Sequence, residues 1–317
     1  MGRANAAYYA ARDPFADFTT APEISQIFGE ILGAWAAVAW EMLGRPAPVL
    51  LAEAGPGRGT LMADARRLTA RLTPDFHAAA KVHFIETSRR LRGEQAGRVP
   101  DATWHDELSS LPDGPLILIA NEFLDALPIR QFSRTEDGWA ERFVAEGAFV
   151  DIPCTAPAGL DPAETEGIRE INEPAEAFVE ALAGRIGAQG GVALLLDYGS
   201  ETNPGDSLQA IRAQGFADPL AAAGHADLTA LVDFGAVGRA AQRGGAAVQG
   251  PVTQGAFLTG LGLFQRAERL ARDRPPEAAG VVMASARRLA DPMAMGRLFK
   301  VMAVTPPDFP LLPGFSA

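Results

Sequence analysis

Glu53-Ala54-Gly55-Pro56-Gly57-Arg58-Gly59-Thr60 follows the apolar run Pro48-Val49-Leu50-Leu51-Ala52 and leads into a helical pattern from Leu61. The stretch reads as a buried strand that ends in an acid, a glycine-rich turn and a helix start. Glycines at such a turn let the backbone approach a ligand where a Cβ would clash. Dinucleotide folds use G-x-G-x-x-G, which seats a pyrophosphate on the helix N-terminus. Here the spacing is G-x-G-x-G, and Thr60 stands where the third dinucleotide glycine belongs. Glu53 would repel a pyrophosphate but suits a cationic ligand. An ordinary glycine-rich turn is the plain alternative.

S-adenosylmethionine carries an ammonium and a sulfonium and no phosphate. The acid, the glycine spacing and the strand–turn–helix context together resemble motif I of class I methyltransferases. A nicotinamide dehydrogenase fits least.

Outward from this loop, strands and helices alternate. Strands are expected at Val49–Glu53, Val82–Glu86, Ala102–His105, Leu116–Ala120, Val192–Asp197 and Leu298–Val304, with a short one near Ala247–Gln249. Helices are expected at 20–44, Leu61–Leu72, Pro174–Ile186, Phe234–Gln242, about 253–272 and 277–290. Thr20 and Glu23 fit a capping box for the first helix, and Ile24, Ile27, Phe28, Ile31, Leu32, Trp35 and Val38 form its apolar stripe. Gln26 and Glu30 lie off that stripe, facing either a site or water. Residues 129–152 read as hairpins, 153–172 as a loop and 199–227 as loop-rich. Repeated βα units predict an α/β fold, a mostly parallel Rossmann-like sheet with helices on both faces and β-hairpin and helical insertions.

Ligands in such sheets bind at the carboxyl ends of the strands. Glu86 ends the second strand, where an acid can take both ribose hydroxyls; a surface carboxylate is the alternative. Asp106 follows the third strand, at the height of an adenine amino group or on a solvated loop. The fourth strand runs into Asn121-Glu122-Phe123-Leu124-Asp125-Ala126-Leu127-Pro128. Glu122 and Asp125 are three apart and would face the same way on a helical turn. Paired carboxylates there can hold a guanidinium; alternatively Asp125 caps a turn and Glu122 is exposed. Asp197-Tyr198-Gly199 is a further polar cluster on the same edge.

The 317 residues carry a net charge of −11, and 48% are apolar. That suffices for one large α/β domain or two small ones. No apolar stretch reaches the roughly 20 residues of a membrane span, and the N-terminus has no signal-peptide core. A single cysteine, Cys154, and four histidines offer no disulfide or metal-ligand spacing. Only Lys81 and Lys300 of the 28 basic residues are lysines, and no basic run suggests nucleic-acid binding. The expected location is cytoplasmic, without membrane insertion.

These stretches resemble the MidA-type class I methyltransferases, a family that includes a mitochondrial complex I assembly factor that methylates an arginine. The matching runs include Tyr8-Tyr9, Arg12-Asp13-Pro14, Pro22 to Glu30, Glu53 to Leu61, Asn121 to Pro128, Leu196 to Gly199, Ala226 to Thr229, Gly250 to Gly255 and Met295 to Val301. The resemblance covers nearly the whole chain. It implies S-adenosyl-L-methionine as cofactor, with Glu53, Gly55, Gly57 and Glu86 toward it; Gly59 of the same loop and Asp106 after the third strand complete the candidate cofactor residues. It also places Glu122, Asp125 and Asn121 near the acceptor, which would be a protein with an accessible arginine, such as a complex I subunit. Residues 1–45 would be a helical lid. Residues 46–317 would be the methyltransferase domain, with insertions at about 129–172, 199–230 and 253–295. The segment before Tyr8 and the loop at 14–17 are shorter than the family's, so a reduced lid is expected. A nucleic-acid amino-methyltransferase would carry Asn/Asp-Pro-Pro-aromatic after the fourth strand, and this chain does not. A small-molecule methyltransferase and a non-catalytic cofactor-binding assembly protein remain as alternatives.

Overall fold

The computed structural model describes residues 1–11, 20–157, 167–203, 205–213, 215–221 and 223–315. Arg12-Asp13-Pro14 and the 14–17 loop, where the reduced lid was expected, lie outside them. The chain begins with α1 (Gly2–Ala11), α2 (Ala21–Ile24) and α3 (Gln26–Met42). There follow β1 (Val49–Ala54), α4 (Thr60–Leu72), α5 (Pro74–Ala79), β2 (Ala80–Ile85), α6 (Arg89–Arg98), β3 (Thr103–His105) and β4 (Leu116–Asn121). A hairpin region holds β5 (Arg130–Thr135), β6 (Gly138–Ala145), β7 (Ala148–Cys154) and β8 (Ile168–Ile171). Next come α7 (Glu173–Gln189), β9 (Gly191–Ser200), β10 (Gln209–Arg212), β11 (Gly215–Ala217), β12 (Asp227–Thr229), β13 (Val232–Asp233) and α8 (Phe234–Arg243). The chain closes with β14 (Ala247–Thr253), α9 (Gln254–Gly260), α10 (Leu263–Ala271), α11 (Pro276–Ala290), α12 (Met295–Leu298) and β15 (Phe299–Thr305).

The main sheet has the order β14-β15-β9-β4-β1-β2-β3, with β13 added to β9. Strands β9, β4, β1, β2 and β3 are parallel, and β15 runs antiparallel to both neighbours. Each central strand is a continuous apolar run because both faces are covered. Alternate residues divide between two cores. Leu51, Ile117, Ile119 and Leu194 meet α3, α4 and α9–α11 on one face, while Leu50, Leu118, Leu195 and Val237 pack with α7 and α8 on the other.

Helices α3 and α4 approach closely through glycine. A Cβ built on Gly33 would lie 2.7 Å from the Ala65 Cα. Gly33→Val is therefore expected to cost about 3 kcal/mol by overpacking, read as a lowered midpoint in thermal unfolding; an unchanged midpoint would refute the close approach.

Several expectations are corrected. The helix expected over 20–44 breaks at Ser25, which is extended and accepts the Ile27 N–H on its hydroxyl. The capping box does not form: Thr20 makes no side-chain cap bond, and the Glu23 carboxylate accepts from the Thr60 hydroxyl at 2.5 Å. The helix expected at 253–272 is split at Gly262 (φ 88°). The loops at 153–172 and 199–227 contain β8, β10 and β11, short strands of which β8 pairs with β5, β10 with β12, and β11 with β10. Glu30 faces neither site nor water. It is buried and takes Arg67, Arg266 and Gln26, which ties α3 to α4 and α10.

Candidate active site

The carboxyl ends of β1, β2 and β4 open into one cavity of about 560 Å³. Its floor is the Glu53–Thr60 turn, one wall is Glu86 to Ser88, another is Asn121 to Phe123 with Ala126 to Pro128, and its cover is α1 and α2. Parallel strands side by side bring these distant segments to one edge.

Glu53 is the last acid of β1 and only 3% exposed. Its Oε2 has no hydrogen-bond partner, and burial holds its carboxyl well above the usual range. A buried acceptor oxygen that borders a cavity calls for a donor or a cation to enter. Gly55 (φ 63°) follows, and a Cβ there would meet the Phe123 ring at 2.9 Å. Gly57 also has positive φ, and its carbonyl accepts from Gln95 Nε2 at 2.7 Å. Gly59 ends the turn without bordering the cavity; its N–H reaches the Pro56 carbonyl at 2.7 Å.

Glu86 lies one residue past β2. One carboxylate oxygen accepts the Ser88 N–H at 2.7 Å and the other accepts from Gln95 Nε2 at 3.2 Å. Burial raises its pKa against these donors. Asp106 is placed elsewhere: its side chain is 81% exposed, pairs with Arg92 at 2.6 Å and does not border the cavity.

At the end of β4, Glu122 takes a left-handed backbone (φ 51°), which is uncommon for a residue with a Cβ. The turn after it is not helical, so the expected common facing of Glu122 and Asp125 does not arise. Glu122 borders the cavity, and its Oε1 accepts the Ala21 N–H and the Asn121 amide, each at 3.0 Å. Burial pushes its carboxyl up to about 7, opposed by these two donors and assisted by the charge of Asp227. Asn121 is buried with an unpartnered Oδ1 and borders the cavity. Asp125 lies behind it, buried against Asp197, Asp227 and Tyr198.

Asp125 and Asp197 both sit above the ordinary range through burial, Asp197 at about 8. Four backbone N–H groups converge on Asp197, which favours negative charge on Asp197 over Asp125 within the pair.

The same chain matches the S-adenosyl-L-methionine-dependent methyltransferase family profile over residues 31–252. The chain belongs to that family. Protein arginine methyltransferase NDUFAF7, mitochondrial, of Mus musculus is 35% identical over 94% of this chain and 77% of its own length. The Drosophila melanogaster homolog is 34% identical over 95% of this chain and 78% of its own length. A structural relative from Burkholderia thailandensis, crystallised with S-adenosyl-homocysteine, superposes with a TM-score of 0.73 at 25% identity, over 95% of this chain and 80% of that one. A native crystal structure of a superfamily protein from the same organism reaches 0.78 at 25% identity, over 99% and 89%. The chain is thus a class I methyltransferase with S-adenosyl-L-methionine as cofactor, as the glycine loop implied. The cytoplasmic placement is overturned, since the curated relatives are named as mitochondrial proteins. A lone cysteine suits any reducing compartment, so it never singled out the cytoplasm.

The cavity fits this cofactor on its own chemistry, with an orphaned acid for a cation and a turn whose Gly55 and Gly57 border the space without side chains. Sequence reasoning flagged Glu23 only as a helix cap and passed over Asn5, Arg58 and Thr60, all of which border the cavity. No local signal marked Glu23 for the cavity, because the break at Ser25 goes with distant partners, Glu122 for the Ala21 N–H and Thr60 for Glu23.

A Glu53 that holds the cofactor's ammonium would give cofactor binding a pH dependence. In the free protein its raised pKa keeps it neutral at lower pH, and a cationic ligand needs it ionised. Affinity for S-adenosylhomocysteine should rise with pH by up to about tenfold per unit and level off once free Glu53 is ionised. Calorimetric titration across pH checks this, and Glu53→Gln should flatten the curve.

Proposed function

We propose that this enzyme is a protein arginine N-methyltransferase whose acceptor is a respiratory complex I subunit or a similar protein. The observation that carries the reading is Glu122: a half-buried carboxylate that borders the cavity from a strained turn, with no cation paired to it among the described residues. The named activity of the relatives supports it.

The bound cofactor supplies an electrophilic methyl on a sulfonium sulfur. On this reading Glu53 takes its ammonium, Gly55 and Gly57 admit its backbone-side atoms, and Glu86 takes the ribose hydroxyls. Asp106 is left out, because it is exposed and committed to Arg92. Glu122 receives the guanidinium, draws its positive charge away from the attacking nitrogen and accepts the proton released after attack. Asn121 offers its unpartnered Oδ1 to a second guanidinium N–H. Ala6, Phe123, Leu127 and Pro128 border the same space and exclude water around the aliphatic stem. Positioning and electrostatics carry the reaction, since the protein has little covalent chemistry to do.

Residues 1–45 act as the lid and 46–317 as the catalytic domain with its three insertions. Gly2, Asn5 and Ala6 of α1 and Thr20, Pro22 and Glu23 at α2 border the cavity. Asn5 fastens α1 by donating to the carbonyls of Ala126 and Leu228 at 2.9 and 2.7 Å.

The test is transfer of labelled methyl from S-adenosylmethionine into a protein extract, followed by mass spectrometry of the labelled residues. Methylarginine on a protein is the expected product. Label confined to small molecules, or to other residues, would overturn the reading.

A further inference from the structure

Glu122 holds a backbone conformation that persists only where its surroundings over-determine it. Its own N–H donates to the Leu196 carbonyl at 2.9 Å. The next three N–H groups, of Phe123, Leu124 and Asp125, converge on Asp197 Oδ2 at 3.2, 2.9 and 3.2 Å. The other oxygen, Oδ1, accepts the Tyr198 N–H at 2.9 Å. Asp197 is 1% exposed and does not border the cavity. Successive N–H groups that converge in this way form a nest for an anion. Here the anion is a side chain from β9, the strand next to β4 in the sheet.

We propose that Asp197 is a positioning residue for methyl transfer, gathering the N–H groups of Phe123, Leu124 and Asp125 so that the turn aims Glu122 into the cavity. This rests on the reading of Glu122 as the acid that receives the acceptor. Asp197 acts through the turn and touches neither cofactor nor acceptor. Tyr198, next to Asp197 on β9, lies close to Asp125 and Thr229, so residues of β9 and β12 back the turn. The groups that face Glu122 are the Ala21 N–H from α2, Asn121 beside it, Asp125 on its own turn, Asp197 at the end of β9 and Asp227 of β12.

Asp197→Asn keeps the shape and removes the charge that the nest requires. The initial rate of labelled methyl transfer into a protein extract should fall about 100-fold, with S-adenosylhomocysteine affinity within about threefold of wild type. The acid limb of the pH–rate profile should move down from about 7, because a loosened turn lets water reach Glu122 and relieves the desolvation that raises its carboxyl. The Asp197→Asn/Glu122→Gln double variant should be no slower than Glu122→Gln alone, since both act on one function. A rate within about threefold of wild type, or fully multiplicative losses in the double variant, overturns the proposal. Full turnover by Glu122→Gln overturns the reading of Glu122 itself. Collapse of that variant beside an active Asp197→Asn overturns only the role of Asp197. In the wild-type protein the amides of Phe123, Leu124 and Asp125 should exchange as slowly as those of β4. Exchange at open-loop rates overturns the proposal whether or not the variant folds.

Discussion

Glu122→Gln is expected to lower methyl transfer about 1,000-fold while S-adenosylhomocysteine binds within about threefold of wild type. Glutamine matches the volume of glutamate and can still accept the Ala21 N–H, so the turn and α2 keep their contact. What is lost is the charge that holds a guanidinium and takes up its proton. The wild-type rate should also rise with pH through about 7, where burial has moved the carboxyl. Below that range Glu122 is neutral and cannot hold a cation; above it the ionised form predominates. The variant should lack this limb. Rates measured across pH with labelled cofactor and a protein extract decide the matter. Unchanged turnover would remove Glu122 from the reaction.

Gly55→Val should weaken S-adenosylhomocysteine binding at least about 100-fold, the scale on which misplacement by about 1 Å acts. Two effects combine. A β-branched residue resists the left-handed backbone at φ 63°, and its Cβ would stand 2.9 Å from the Phe123 ring. Phe123 adjoins Glu122, so the clash displaces the cofactor turn and the acceptor side together. Calorimetric titration reads the affinity, and circular dichroism separates a binding defect from unfolding. Affinity within about threefold of wild type would contradict the close packing of these two turns.

The sheet was legible because each central strand is a short apolar run closed by a polar residue at one edge. Glu53, Glu86 and Asn121-Glu122 could be placed at the strand ends from sequence, and all four border one cavity. Asp125 was misread because helical spacing was assumed after β4. The N–H groups that follow Glu122 bond to Asp197, 75 residues further along from Glu122, and no local pattern encodes such a contact. Of the two alternatives for Asp106 the structure has the solvated loop, where Arg92 on α6 pairs with it. The helix expected over 20–44 looked continuous because its apolar stripe runs unbroken. Its break at Ser25 follows from partners that local sequence does not reveal, Glu122 for the Ala21 N–H and Thr60 for Glu23. Short strands such as β8 and β11 carry no periodicity of their own and exist through pairing.

The most direct measurement is a crystal structure of the protein with S-adenosylhomocysteine and an arginine-containing peptide. The account predicts the ligand's ammonium on Glu53, its ribose hydroxyls on Glu86 and the guanidinium on Glu122. A guanidinium bound away from Glu122, or a ribose that leaves Glu86 untouched, would contradict it.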